Sequence, residues 1–147
     1  IAVIRTIKVL AYVLLGERLL VVEQPDDPKA GLQVPQGTVG ENEDIREAVV
    51  REVWEETGLT ATINGYLGVA EYDMSNYGRA EVEERHVFQL EAAVNSPTEP
   101  WDHLEEQPSG GGPAVRFRLS WLHLDDPGLH LEAGHGALLE RVRRPAA

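Results

Sequence analysis

Three glutamates fall within five positions in the stretch REVWEETG, residues 51–58, and the signals on either side allow this segment only one local structure. Asp44 is a good N-cap, and Glu47 three residues later completes a capping box. Gly58 stands where a helix takes a left-handed closing residue. The pattern therefore predicts a helix from about Ile45 to Thr57. At roughly 100° per residue, Val49, Val50, Val53, Trp54 and Thr57 share one broad arc, the expected buried face, with Trp54 turned toward the core. Glu52 and Glu56 stack one turn apart at the edge of that arc, with Glu55 beside them. Arg51 precedes Glu55 by four residues and Glu47 precedes Arg51 by four, so the arginine can hold both. Carboxylates in the last turns of a helix oppose its macrodipole, whose C-terminal end is already negative. A solvated face tolerates the few tenths of a kcal/mol that each like-charge pair costs. A bound cation would turn the same repulsion into attraction. Oxygen donors without Cys or His suit a hard divalent ion, magnesium or manganese rather than zinc. On these residues alone, an acidic solvated face and a cation seat both remain open.

The chain has 147 residues, which suits one domain spanning 1–147. Apolar residues make up 42%, too many for a disordered chain. The N-terminal run IAVIRTIKVLAYVLLGERLLVVEQ is interrupted by Arg5, Lys8, Glu17 and Arg18, and falls short of the roughly 18–20 residues a spanning helix needs, so no membrane partner is expected. No small-residue cleavage signature follows it. The chain starts at Ile1 rather than Met, which implies that a few residues precede it. The absence of cysteine excludes disulfides and thiolate metal sites and fits a cytoplasmic setting. A formal net charge of −12 without a Lys/Arg cluster argues against a long nucleic-acid partner. A small phosphorylated substrate remains compatible if metal ions offset the repulsion.

Outside the helix, Ile4–Leu15 and Leu19–Glu23 read as strands joined by a turn at Gly16-Glu17-Arg18. LQVPQGTV is short and extended, because Pro35 restricts Val34 to β geometry. Residues 60–72, 84–93 and 115–124 are expected strands. Asn95–Pro113, with four prolines and SGGG, reads as one long loop. Gly134–Arg143 reads as a terminal helix whose basic end suits the macrodipole. Strands and helices mix without regular βαβ alternation, so the expected class is α+β.

From Gly37 the sequence GTVGENEDIREAVVREVWEETGL resembles the Nudix box. Gly37, Glu43, Arg51, Glu52, Val53, Glu55, Glu56, Gly58 and Leu59 occupy its defined positions. The resemblance implies the Nudix fold, a mixed β-sheet sandwiched between helices in α/β/α layers, with the box forming a loop–helix–loop. It also implies metal-dependent hydrolysis of a nucleoside diphosphate linked to another moiety, with Mg²⁺ or Mn²⁺ as cofactor. Glu52 and Glu56 would be the principal metal ligands. Glu55 would be a further ligand, or would orient or deprotonate the nucleophile. Arg51 would pair with Glu43 or Glu55, the Gly37 carbonyl would approach the metal, and Gly58 would close the helix. Homodimers are frequent in the family. In VPQGTV, Gln36 matches the PQGG of members acting on dinucleoside polyphosphates or RNA ends, and Thr38 departs from it. The alternatives are a Nudix-fold binding or regulatory module without catalysis, or an isoprenoid diphosphate isomerase. The isomerase is disfavoured because its usual acid–base cysteine is missing.

Several residues outside the box are candidates for the same site. Glu99, Glu105 and Glu106 in the expected loop, and Glu83 and Glu84 at the start of the strand preceding it, could each supply a general base. Each is equally a surface glutamate. Gln36, Arg79, Arg85 and Trp101 are candidate substrate contacts. Trp101 could instead anchor its loop, and His86 reads as structural.

Overall fold

The computed structural model describes residues 2–108 and 111–145. Its strands are β1 (Ile4–Leu15), β2 (Arg18–Glu23), β3 (Gln36–Thr38), β4 (Ala61–Asp73), β5 (Glu81–Ala92), β6 (Trp101–Glu105) and β7 (Val115–His123). One α-helix, α1 (Ile45–Thr57), follows β3. The strands form a single mixed sheet in the order β4-β5-β1-β2-β7-β6, with β3 paired to β1. Only β1 and β5 run parallel; the other pairs are antiparallel. Along one side β1 pairs continuously with β5. Along the other it pairs first with β3 and then, at Leu14 and Leu15, with β2.

Both faces of this sheet are covered, so Val9 to Leu14 is buried without interruption rather than at every second residue. Val9, Ala11, Val13, Leu20, Phe88, Leu90 and Leu119 meet Ala48, Val49 and Val53 of α1. On the reverse face Leu10, Tyr12, Leu14, Leu19 and Val21 meet Leu138, with Leu129, Leu131 and Leu139 packed against them. The expected terminal helix at Gly134–Arg143 is absent. The segment is a series of turns with a short 3-10 turn at Leu139–Arg141. Its backbone is committed elsewhere: Tyr12 Oη donates to the His135 carbonyl and accepts from the Leu138 amide, and Gln89 bonds both the amide and the carbonyl of Arg143. Gly134, at φ 73°, and Gly136 add the entropic penalty that glycine brings to a helix. The second layer of the sandwich is therefore irregular.

The expected long loop at Asn95–Pro113 contains β6, and residues 109 and 110 of it lie outside the described residues. Prolines on both sides and a charge in its middle hide this strand in the sequence. Asp102 is balanced across the pair by Arg116 at 3.0 Å and Arg118 at 2.8 Å, the cross-strand pairing that lets a charged residue sit in a sheet. β5 begins at Glu81, ahead of the expected start at 84, so Glu83 belongs to the strand together with Glu84. Among the described residues no helix is long and apolar enough to cross a membrane.

His135 joins the irregular layer to the segment just before β3. Its Nδ1 accepts from the Val34 amide at 3.1 Å, and the ring is 1% exposed. Burial, with Arg85 nearby, lowers its pKa to about 3. The unfolded chain takes up a proton near pH 6.5, whereas the folded chain does so only near pH 3. Between these values the unfolded state binds more protons, so stability is fully present above about pH 6.5 and falls on acidification, by up to about 1.4 kcal/mol per pH unit. His135→Asn keeps an acceptor for Val34 and removes the titration. In urea denaturation the stability gap between wild type and this variant should narrow from pH 7 to pH 4; a constant gap would refute the assignment.

Candidate metal centre

The residues of the centre come from three neighbouring elements. β3 supplies Gln36 and Gly37, α1 supplies Arg51, Glu52, Glu55 and Glu56, and the end of β6 supplies Glu105. The helix starts where its sequence says. Asp44 accepts from the Arg46 amide at 2.7 Å, although Glu47 makes no return bond, so the capping box is half formed. Gly58 closes the helix in the left-handed region at φ 78°.

The buried face of α1 is rotated from the expected arc. Glu52 is 1% exposed and Glu56 6%, whereas Trp54 is 59% exposed. Glutamates do not enter a buried face without compensation. Part of it is local: Arg51 donates to Glu52 at 2.7 Å, to Glu55 at 3.0 Å, to both Glu43 oxygens and to the Thr38 carbonyl. The Gln36 amide donates to Glu56 Oε2 at 3.3 Å. Gly37 gives the Glu52 carboxylate its room, since a Cβ there would lie 1.9 Å from Glu52 Cδ.

Oxygens of Glu52, Glu55 and Glu105 all lie within 4.8 Å of one another. One arginine cannot balance so many carboxylates. Burial, reinforced by Glu105 and Glu52, drives the Glu56 pKa well above the usual carboxylate range. Burial, followed by Glu52 and Glu55, pushes Glu105 up to about 7. Glu43 is held below its ordinary value, first by its hydrogen bond from Arg51. Hard oxygen donors converging on one point with excess negative charge fit a divalent cation.

The residues singled out from sequence separate clearly. Glu52, Glu55 and Arg51 meet, with Glu56 and Gly37 directly behind. Of the candidate loop bases, Glu105 joins them. Glu106 and Glu99 are exposed, and of these two Glu106 lines a cleft that Glu55 and Glu105 also border. Glu83 is buried against Arg85 at 2.9 Å, and Glu84 pairs with His86 at 2.8 Å. Arg85 also donates to the Ala133 carbonyl and stacks on Tyr72, so its guanidinium is engaged within the fold. Arg79 is exposed beside Glu81. Trp101 donates to the Thr57 carbonyl at 2.9 Å, anchoring β6 to the end of α1. Trp54 is the residue whose position sequence reasoning misassigned. A signal for it was present: at roughly 100° per residue Glu52 and Trp54 are about 200° apart, so a helix that buries one exposes the other.

Comparison with known proteins identifies the family and the fold. A family model described as NUDIX domain matches residues 4–141. The RNA pyrophosphohydrolase of Cereibacter sphaeroides is 53% identical over 36 residues, which cover 24% of this chain and 22% of that protein. The match thus reaches about a fifth of the relative's length. Among solved structures, a MutT NUDIX hydrolase from Burkholderia pseudomallei superposes with TM-score 0.62 at 23% identity, covering 95% of this chain and 98% of its own. A NUDIX hydrolase from Nitrosomonas europaea gives TM-score 0.65 at 20% identity, covering 93% and 87%. At such identities these two likenesses carry the fold.

Proposed function

The chain belongs to the Nudix hydrolase family, and on that footing we propose that it hydrolyses a pyrophosphate bond in a small nucleotide, a nucleoside diphosphate linked to a further group, using Mg²⁺ or Mn²⁺. The observation that carries the reading is the convergence of Glu52, Glu55 and Glu105 within 4.8 Å, at the negative end of a helix and with Arg51 as their cationic neighbour. A module that only bound a ligand would have little use for such an arrangement.

Glu52, Glu56 and Glu55, with the Gly37 carbonyl, would hold the cation. When bound, the ion would supply charge neutralisation for anhydride oxygens and acidify water at the site. The protein's own groups do the rest. Arg51 fixes the rotamers of Glu52 and Glu55 from one side, so the carboxylates are positioned before substrate arrives. Glu105, whose carboxylate meets the cluster from β6, would accept the proton of an attacking water. The main-chain N–H of Gln36 restrains Glu56 by donating to its Oε2.

The test is product analysis with nucleoside triphosphates, nucleotide sugars, ADP-ribose and dinucleoside polyphosphates, each with magnesium and with manganese. Release of a nucleoside monophosphate or of inorganic pyrophosphate from at least one of them is the expected result. Intact substrates throughout the panel would overturn the proposal.

A further inference from the structure

Two of the three tryptophans are committed to the fold. Trp101 Nε1 donates to the Thr57 carbonyl and Trp121 Nε1 to the Pro97 carbonyl, and their rings lie 6.3 Å apart. Trp54 is different. It is 59% exposed, and its indole N–H has no hydrogen-bond partner among the described residues. A single exposed apolar side chain needs no explanation. This one borders a cleft of about 360 Å³ whose other walls include Glu55, His103, Leu104, Glu105 and Glu106. Glu55 and Glu105 thus belong to the cleft and to the carboxylate cluster at once. The size falls within the roughly 300–1,000 Å³ typical of small-molecule sites.

The charge pattern selects what can lie there. Three carboxylates border the cleft, so a phosphate chain can enter only at the end where a cation screens it. The lining also includes two exposed apolar side chains, the indole of Trp54 and the half-exposed Leu104. An exposed indole suits a neutral planar ring, and Glu106, also in the lining, supplies an acceptor for an N–H donor. We infer that the Trp54 indole is the stacking platform for the aromatic base of the substrate, whose phosphates run from there to Glu55 and Glu105. This assignment rests on the hydrolase reading above and sharpens it: the substrate's aromatic base is gripped beside the cluster by a residue of the helix itself.

Two measurements test it. Stacking of a base on an aromatic side chain is worth about 1–3 kcal/mol, so Trp54→Ala should raise KM for a cleaved nucleotide by about tenfold, with kcat changed by less than about twofold. Trp54→Phe should recover most of the loss, and cleavage of inorganic tripolyphosphate, which has no base, should be indifferent to both changes. Separately, ADP with magnesium should quench tryptophan emission in the wild type, and the quench should vanish in Trp54→Phe, which retains Trp101 and Trp121. An unchanged KM in Trp54→Ala, or a quench that persists in Trp54→Phe, would overturn the platform. If the wild type cleaves no nucleotide but Trp54 emission is still quenched, the hydrolase reading fails and the base platform stands.

Discussion

Glu52→Gln is expected to lower kcat/KM with magnesium by about three orders of magnitude or more. Charge stabilisation by a bound divalent ion is worth several kcal/mol in the transition state, and each 1.4 kcal/mol is tenfold in rate. Glu52 is the carboxylate with the most to lose. It is 1% exposed, abuts Gly37, takes a hydrogen bond from Arg51 at 2.7 Å, and contributes an oxygen to the convergent group. The amide keeps its shape and removes its charge. Folding should survive, because Arg51 keeps Glu43 and Glu55 and one like charge is gone from the cluster. Magnesium should raise the melting temperature of the wild type and leave the variant unmoved. Activity within tenfold of wild type, or a full magnesium-dependent shift in the variant, would remove the ground for the metal centre.

Gly37→Ala should cost about a hundredfold in activity while leaving the protein folded. The new methyl would lie 1.9 Å from Glu52 Cδ and 2.1 Å from its Oε2. What it meets is the far end of a flexible side chain, so the overlap is relieved by moving the carboxylate rather than the backbone. Gly37 is not among the glycines at positive φ, so alanine brings no backbone strain. The displaced group, however, is the one whose position matters. A misplacement of about 1 Å in a catalytic constellation can cost about a hundredfold. Thermal melting and kcat measured on the same preparation separate the two effects. A variant that melts far below wild type would show that Gly37 serves packing. Unaltered melting with unaltered turnover would show that the Glu52 position is not critical.

Local signals were legible where the relevant physics is local. Asp44 and Gly58 bound α1 as expected, and both hairpin strands at the N-terminus appear where their apolar runs lie. The grouping of the helix glutamates and the pairing of Arg51 with Glu55 were legible from the helical repeat, and the resemblance to the Nudix box added Gly37 and the pairing of Arg51 with Glu43 or Glu55. β6 and the irregular C-terminal layer were not. The Asp102 charge in β6 is balanced by Arg116 and Arg118, distant in sequence, and the backbone of the C-terminal segment is held by Tyr12 and Gln89. No window of neighbouring residues contains those partners.

The amino-acid sequence by itself determined the helix, its caps and the set of carboxylates it carries, since hydrogen-bond capping and the helical repeat act over a few residues. Only the tertiary structure decided which way that helix faces. Packing against the sheet turned Glu52 and Glu56 inward, Trp54 outward, and brought Glu105 from the end of β6 to complete the cluster. A helical repeat states the angles between side chains, but the direction of the core is set by the surface the helix meets.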